Sequence, residues 1–387
     1  MSHAPFDAAA GGALRPTTEP FALGAVTLGP ALAPGTRGIA PERRPAELRL
    51  VYVDDPYVTS WSDADRAEVA AIESECDALA RSRREAGYWQ RAPGTAYTLD
   101  QQSGPASGTS GWGDPVASAA FFQRVGSRAA CAWQTLIPAA KALLYLSDPW
   151  HSGSVHTKRG TTPIDTRARR MLSLVTDAIG VRAGATVMAH LVEDLIAQFN
   201  RPSERLRWMS VACGTALPAM KASVQAAIRP ELLLVDFDTE ALRAAAGLAS
   251  TVGFAGVVHT ERMNIFNVER LRSLGDQLAA TGRSPDLVDL MGIFEYSGSN
   301  LGVDPVAFLG AAWHAVAPGG TLVLGQMLAD RPLPDFAMGV VQWPYVEMRH
   351  LDELLQITVA AGLPLEHTRV HLPSDGVYAV ISATKSG

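Results

Sequence analysis

The chain has 387 residues, 47% of them hydrophobic and 19% charged, and carries a formal net charge of −6. That length suits two ordinary domains with a sizeable core, and the negative balance disfavours nucleic acid and membrane surfaces as partners. Cys76, Cys131 and Cys213 are odd in number and far apart, which excludes a disulfide framework or a zinc site and points to a reducing cytoplasm. No apolar stretch is long enough to span a bilayer, and no secretory leader is visible.

Residues 1–47 are rich in Ala, Gly and Pro without an apolar period, so a flexible N-terminal tail is expected there. Residues 48–200 read as a mainly helical cap or substrate domain. In "SDADRAEVAAIESECDALARSRREAG", Ser62 can cap a helix whose Val69, Ile72, Cys76 and Leu79 recur at helical spacing. "QQSGPASGTSGWGDP" reads as a loop, and a lid contact through Trp112 competes with a plain surface loop. One or two buried helices follow in "SAAFFQRVGSRAACAWQTLIPAAKALLYL". Two more are expected in "IDTRARRMLSLVTDAIGV" and "ATVMAHLVEDLIAQFN", the latter with a wide apolar face of Val187, Leu191, Leu195 and Phe199 beside Met188, Val192 and Ile196.

After residue 200 the texture changes. Short apolar runs ("RWMSVA", "ELLLVDF", "AGVVHTE", "PDLVDLMGIF", "GTLVLGQM") alternate with helix-length segments. Such alternation predicts an α/β fold, a doubly wound Rossmann-like sheet over residues 201–387. The runs "LEHTRVHL" and "VYAVISAT" are joined only by "PSDG". So short a link requires an antiparallel hairpin, and hence a reversed last strand.

In an open α/β sheet, ligands bind beyond the carboxyl ends of the strands, where strand order reverses. The turn in "WMSVACGTALPAM", residues 208–220, follows the first strand of this region and occupies that place. Asp236 ends the second strand 22 residues after Gly214, close to the interval at which such sheets offer a carboxylate to a ribose. Together, "MSVACGTALPA", "LLVDFDTEAL", "DLVDLMGIFEY", "HAVAPGGTLVLG" and "HTRVHLPSDGVYAVISAT" resemble the successive motifs of class I S-adenosylmethionine-dependent methyltransferases, over roughly residues 206–384. "DLMGIFEY" is nearest to bacterial relatives linked to methyl esters of hydroxy fatty acids.

The resemblance implies S-adenosyl-L-methionine as cofactor and a small-molecule acceptor. It implies that Ala212, Cys213 and Gly214 line the methionine part, Asp236 receives the ribose hydroxyls and Phe237 flanks the adenine. Asn264 would meet the adenine edge, and Met291 and Gly292 would sit under the sulfonium. The family's usual glycines are here Ala212 and Ala216, and its usual acid is Ser210. The alanines weigh against the pyrophosphate of a dinucleotide more than against adenosylmethionine.

Glu295 and Tyr296 follow the fourth strand on the rim where the acceptor belongs, as a base or an orienting pair; packing and a helix-start charge are the competing roles. Trp343 and Tyr345 are candidates for a wall of the acceptor pocket. Arg349, and Arg167 in the run Arg167, Arg169, Arg170, are candidates for pairing with an anionic acceptor, against ordinary surface positions. Residues 1–200 hold 19 Lys and Arg against 20 Asp and Glu, so that basic run is local. His190, His314, His367 and His371 lack metal-ligand spacing, and no metal is expected. His367 and His371 are expected to face solvent or core together, and Cys213 to be a packed thiol.

The reading is thus a cytoplasmic methyltransferase acting on oxygen, carboxylate or hydroxyl, of a metabolite or natural product, with a homodimer as candidate assembly. An N-methyltransferase, an NAD(P)-dependent enzyme and a non-catalytic binding protein on the same sheet are the alternatives.

Overall fold

The computed structural model describes residues 15–89, 113–137, 139–198 and 206–387. Strand β1 (Ala25–Ala31) and strand β2 (Glu47–Asp54) pair antiparallel at one edge of the main sheet. A strand therefore lies inside the stretch expected to be a flexible tail. β1 is mostly exposed along its length. An edge strand needs no apolar alternation, which is why periodicity did not reveal it.

The short helix α1 (Pro56–Thr59) leads to α2 (Asp63–Glu85), which starts at Ser62 as expected. Ser62 accepts from the Asp65 N–H and Asp65 reaches back to the Ser62 N–H, a reciprocal cap. Val69, Ile72 and Cys76 are buried, with Ala80 taking the place expected for Leu79, which is exposed. The region expected to hold one or two helices holds three: α3 (Pro115–Val125), α4 (Arg128–Gln134) and α5 (Ala140–Ser147). A small hairpin of β3 (Ser154–Thr157) and β4 (Gly160–Pro163) follows. Then come α6 (Thr166–Leu174) and α7 (Thr176–Gln198), meeting at 58°. The break falls at Val175, earlier than the sequence suggested. Trp112 and Phe199 lie outside the described residues. Among the described residues no single helix is long and apolar enough to cross a membrane.

All seven strands expected after residue 200 form. They are β5 (Arg207–Val211), β6 (Glu231–Asp236), β7 (Val257–Arg262), β8 (Leu287–Leu290), β9 (Thr321–Met327), β10 (Thr368–Pro373) and β11 (Tyr378–Thr384). Helices α8 (Leu217–Gln225), α9 (Thr239–Thr251), α10 (Val268–Ala280), α11 (Pro305–Ala315) and α12 (Leu351–Ala360) connect them. The order across the sheet is β1-β2-β10-β11-β9-β8-β5-β6-β7. β8 and β6 flank β5 in parallel, so strand order reverses between β5 and β8. β11 runs antiparallel to both β9 and β10. The reversed last strand is therefore last in sequence and internal in space; β2 and β1 extend the sheet beyond it.

The N-terminal region is not a separate body. β2 pairs with β10 in parallel, from Arg369 with Glu47 to Pro373 with Val51. Val187, Met188, Leu191 and Val192 of α7 share one buried cluster with Trp208, Leu232 and Val380 of the sheet. Each such side chain contributes about 1.5–3 kcal/mol on burial. A second cluster joins α2 to α6 with Phe336, Val340 and Trp343. The boundary expected near residue 200 separates two halves of one core.

Arg182 of α7 fastens these parts. Its guanidinium pairs with Asp55 at 2.7 Å and donates to the carbonyls of Leu146, Leu172 and Ser173, and it is only 4% exposed. Removing one partner of a buried pair strands the other charge. Arg182→Ala should lower stability by about 3–5 kcal/mol in urea unfolding. A loss under about 1 kcal/mol would show that the fastening is dispensable.

Candidate functional site

The apolar run of β5 stops at Val211, and the loop that follows is wound left-handed at alternate positions: Ala212 (φ 51°), Gly214 (φ 52°) and Ala216 (φ 51°). The two alanines thus occupy positions that glycine adopts freely, at a cost of about 1–2 kcal/mol each. Cys213 N–H donates to the Val235 carbonyl, tying the loop to β6. Gly214 N–H donates to Asp236 Oδ2 at 2.9 Å, and Asp238 N–H donates to Asp236 Oδ1 at 2.9 Å. The loop and the acid that ends the second strand therefore converge. Burial pushes the Asp236 carboxyl above its usual range, and the two N–H donors pull it back. A carboxylate has about four lone-pair positions, so Asp236 retains acceptor capacity.

Ser210 stands where an acid was expected. Its hydroxyl donates to Asp289 Oδ1 at 3.1 Å, and Trp208 Nε1 donates to Asp289 Oδ2 at 2.6 Å. Ser210 and Asp289 face each other in the β5–β8 ladder. Asp289, on the neighbouring strand, is fully buried, and burial raises its carboxyl to about 6. No motif on β5 could disclose this, because register decides which residue of β8 lies opposite.

A cavity of about 1710 Å³ opens at the carboxyl ends of β5, β6 and β8. Ala212, Cys213, Gly214, Asp236, Phe237, Met291 and Gly292 all line it. Asn264 does not: its Oδ1 accepts from the Phe266 N–H at 3.1 Å, which shapes the turn, and Ile265 and Phe266 line the wall instead. Burial pushes the Cys213 thiol up, with the Asp236 and Asp289 charges adding to it; the residue is partly buried against the core and also lines the cavity.

Glu295 and Tyr296 lie on a single turn of tight helix, Phe294–Tyr296, and both line the cavity. Glu295 is 3% exposed, and its Oε2 has no hydrogen-bond partner. Burial raises its carboxyl to about 7. Trp343 and Tyr345 also line the cavity. Trp343 Nε1 donates to Asp177 at 3.0 Å, while Tyr345 has a left-handed φ of 63°.

Arg349 is neither on the surface nor in the cavity. It is buried, donates to Gln326 Oε1 at 2.7 Å and to the carbonyls of Phe294 and Ser297, and lies over the Phe294 ring. Those carbonyls bracket Glu295 and Tyr296, so Arg349 holds that turn instead of meeting a substrate. Arg167 is exposed, lies off the cavity and donates to the Gly126 carbonyl. Arg169 stacks on Trp150 and Arg170 pairs with Asp65 and Glu68, so the basic run packs its helix. His371 is buried while His367 is exposed, because the chain enters β10 between them. Among the described residues no cluster of three or more His, Cys, Asp or Glu side chains could hold a metal ion.

The cavity is electrically divided. Its acidic lining residues, Asp236, Asp238, Glu240 and Glu295, come from the sheet half. Its cations, Arg128, Lys141, Lys158 and Arg159, come from α4, α5 and the β3–β4 hairpin.

No family model matches the chain, and no curated protein matches it in sequence. Among solved structures it resembles a Bordetella parapertussis protein described as a possible exported protein, with 16% identity over 84% of this chain and 99% of that one and a TM-score of 0.50. An O-methyltransferase family protein from Burkholderia thailandensis matches at 19% identity over 58% of this chain and 61% of that one, with a TM-score of 0.39. A magnesium protoporphyrin IX methyltransferase from Synechocystis PCC 6803 with bound SAH matches at 13% identity over 54% and 87%, with a TM-score of 0.40. At these identities the likeness is one of fold.

A carboxyl raised from 4.5 to about 7 in the native state leaves the unfolded chain ionised first, so native stability falls as pH rises through that interval. Glu295→Gln removes the effect. Relative to the native sequence the variant should gain on the order of 2–3 kcal/mol between pH 4.5 and pH 8, read from denaturant unfolding at each pH. A pH-independent difference would contradict the burial of this carboxyl.

Proposed function

We propose that the chain is an S-adenosylmethionine-dependent methyltransferase acting on a small molecule. The observation that carries this reading is the Gly214–Asp236 hydrogen bond, which turns the loop and a carboxylate into one wall of a cavity whose charged lining residues on the sheet side are all acidic. S-adenosylmethionine brings a sulfonium and an ammonium, two positive charges that suit such a wall. Asp236 has acceptor capacity left for a ribose, Phe237 is available to flank adenine, and Met291 and Gly292 line the same cavity. Asp289 lies behind the loop on the next strand, bonded to Ser210 and Trp208, and does not itself line the cavity. Lys141 is next to Ala140, whose Cβ lies 3.2 Å from where a Cβ on Gly214 would be, and its ammonium suits the cofactor's carboxylate.

When bound, the cofactor supplies an activated methyl group. The chain's own residues orient acceptor and cofactor in line and exclude water, which by itself lowers a barrier by several kcal/mol. Glu295 and Tyr296 stand at the acceptor end. A hydroxyl acceptor is favoured over the methyl-ester reading, because a carboxylate would meet the buried Glu295. Nitrogen ranks after oxygen.

A dinucleotide-binding role is weaker on two counts. Pro218, within the first two positions of α8, removes a backbone donor where a pyrophosphate would need it. Asp236, Asp238 and Glu240 would repel the phosphates.

Calorimetric titration with S-adenosylhomocysteine should give one saturable site, with NAD and NADP silent. Asp236→Ala should weaken that binding by about 1.5–3 kcal/mol per lost hydrogen bond to the carboxylate. Unchanged affinity in the variant would remove Asp236 from the site, and nicotinamide binding with S-adenosylhomocysteine silent would replace the reading altogether.

A further inference from the structure

The cap-side rim of the cavity holds three cations that the fold does not use. Arg128 begins α4, and Lys158 and Arg159 form the turn of the β3–β4 hairpin packed beside it. Among the described residues none of the three side chains has a hydrogen-bond or ion-pair partner. Other basic residues of this region are engaged: Arg124 with Glu75, Arg167 with the Gly126 carbonyl and Arg170 with Asp65 and Glu68. Like charges left together at a cavity mouth repel one another, and an anion relieves that repulsion.

The interior offers a second, independent signal. Glu295 is almost fully buried, lines the same cavity and keeps Oε2 without a donor. A buried acceptor atom without a partner costs free energy unless a ligand supplies the donor. The same cavity is also lined by apolar and aromatic side chains, among them Phe122, Leu136, Val346, Tyr296 and Trp343.

From this arrangement we infer the class of acceptor: a molecule with an apolar or aromatic body, an anionic group held at Arg128, Lys158 and Arg159, and a hydroxyl presented to Glu295. The inference rests on the methyl-transfer reading. In the step it implies, the acceptor oxygen forms a bond to the methyl carbon as the bond from that carbon to sulfur breaks. The hydroxyl proton passes to Glu295, and the sulfonium departs as a neutral thioether. Glu295 then returns the proton to solvent. No further co-reactant is required. Lys141, beside the Gly214 loop, is left to the cofactor.

Three fluorescent probes separate the elements of the proposal: 6-hydroxy-2-naphthoate, 2-naphthoate and 2-naphthol, each titrated into the full chain saturated with S-adenosylhomocysteine. The expected order of affinity is 6-hydroxy-2-naphthoate first, with the two carboxylates weakening as salt is raised. The triple variant Arg128→Ala, Lys158→Ala, Arg159→Ala should lose at least tenfold in affinity for both carboxylates and keep 2-naphthol. Glu295→Gln should lower the affinity of the two hydroxyl probes and spare 2-naphthoate. Equal binding of all three probes, no binding of 6-hydroxy-2-naphthoate, or a triple variant indistinguishable from the native chain overturns the inference. S-adenosylhomocysteine binding is measured first in every protein. Its absence from the native chain defeats the methyl-transfer reading, whereas its presence with failed probe selectivity defeats only the acceptor class.

Discussion

A single hydrogen bond, from the Gly214 N–H to the Asp236 carboxylate, fixes the geometry on which the site depends. It joins the end of β5 to the end of β6 and aims the loop's backbone at the same space as the acid. The loop reaches that shape by placing two alanines in a left-handed conformation, which L-residues adopt only when their surroundings over-determine it. Those surroundings are visible. Cys213 is tied to the Val235 carbonyl, and Ala216 is packed in the core under α8.

The division of charge follows from the way two parts of one chain meet across the cavity. The C-terminal half contributes carboxylates from the end of β6, the start of α9 and the turn after β8, and the helices and hairpin before it contribute lysines and arginines. The two sides of the cavity therefore carry opposite charge. The N-terminal region takes part in this as an integral layer. β2 continues the sheet from β10, and Arg182 of α7 binds Asp55 and the ends of α5 and α6 in one knot.

Several cavity-lining residues were legible because their positions are local. Ala212 to Gly214, Asp236, Met291, Gly292, Glu295 and Tyr296 sit at strand ends, and alternation of strand and helix is enough to place strand ends. Trp343 and Tyr345 follow the buried segment Phe336–Val341 and also reach the cavity. Asn264 misled because a residue after a strand can equally fold back on its own turn, as its bond to the Phe266 N–H does. Arg349 and Arg167 misled for a related reason. A guanidinium near a pocket in sequence serves whatever carbonyls or carboxylates it meets first, and here those belong to the protein. Asp289 and the cations at Arg128, Lys158 and Arg159 had no local signature.

The sequence alone determined the α/β class, the seven strands after residue 200 and the reversed final strand, because each follows from period, loop length and turn chemistry within a short window. Tertiary structure decided which residues share a wall. It set Asp289 opposite Ser210 through ladder register, put β11 inside the sheet and not at its edge, and added β1 and β2 to that edge. It also gathered cations from α4 and the β3–β4 hairpin onto one rim. These are pairings between positions tens to hundreds of residues apart, and only the closure of the core brings them together.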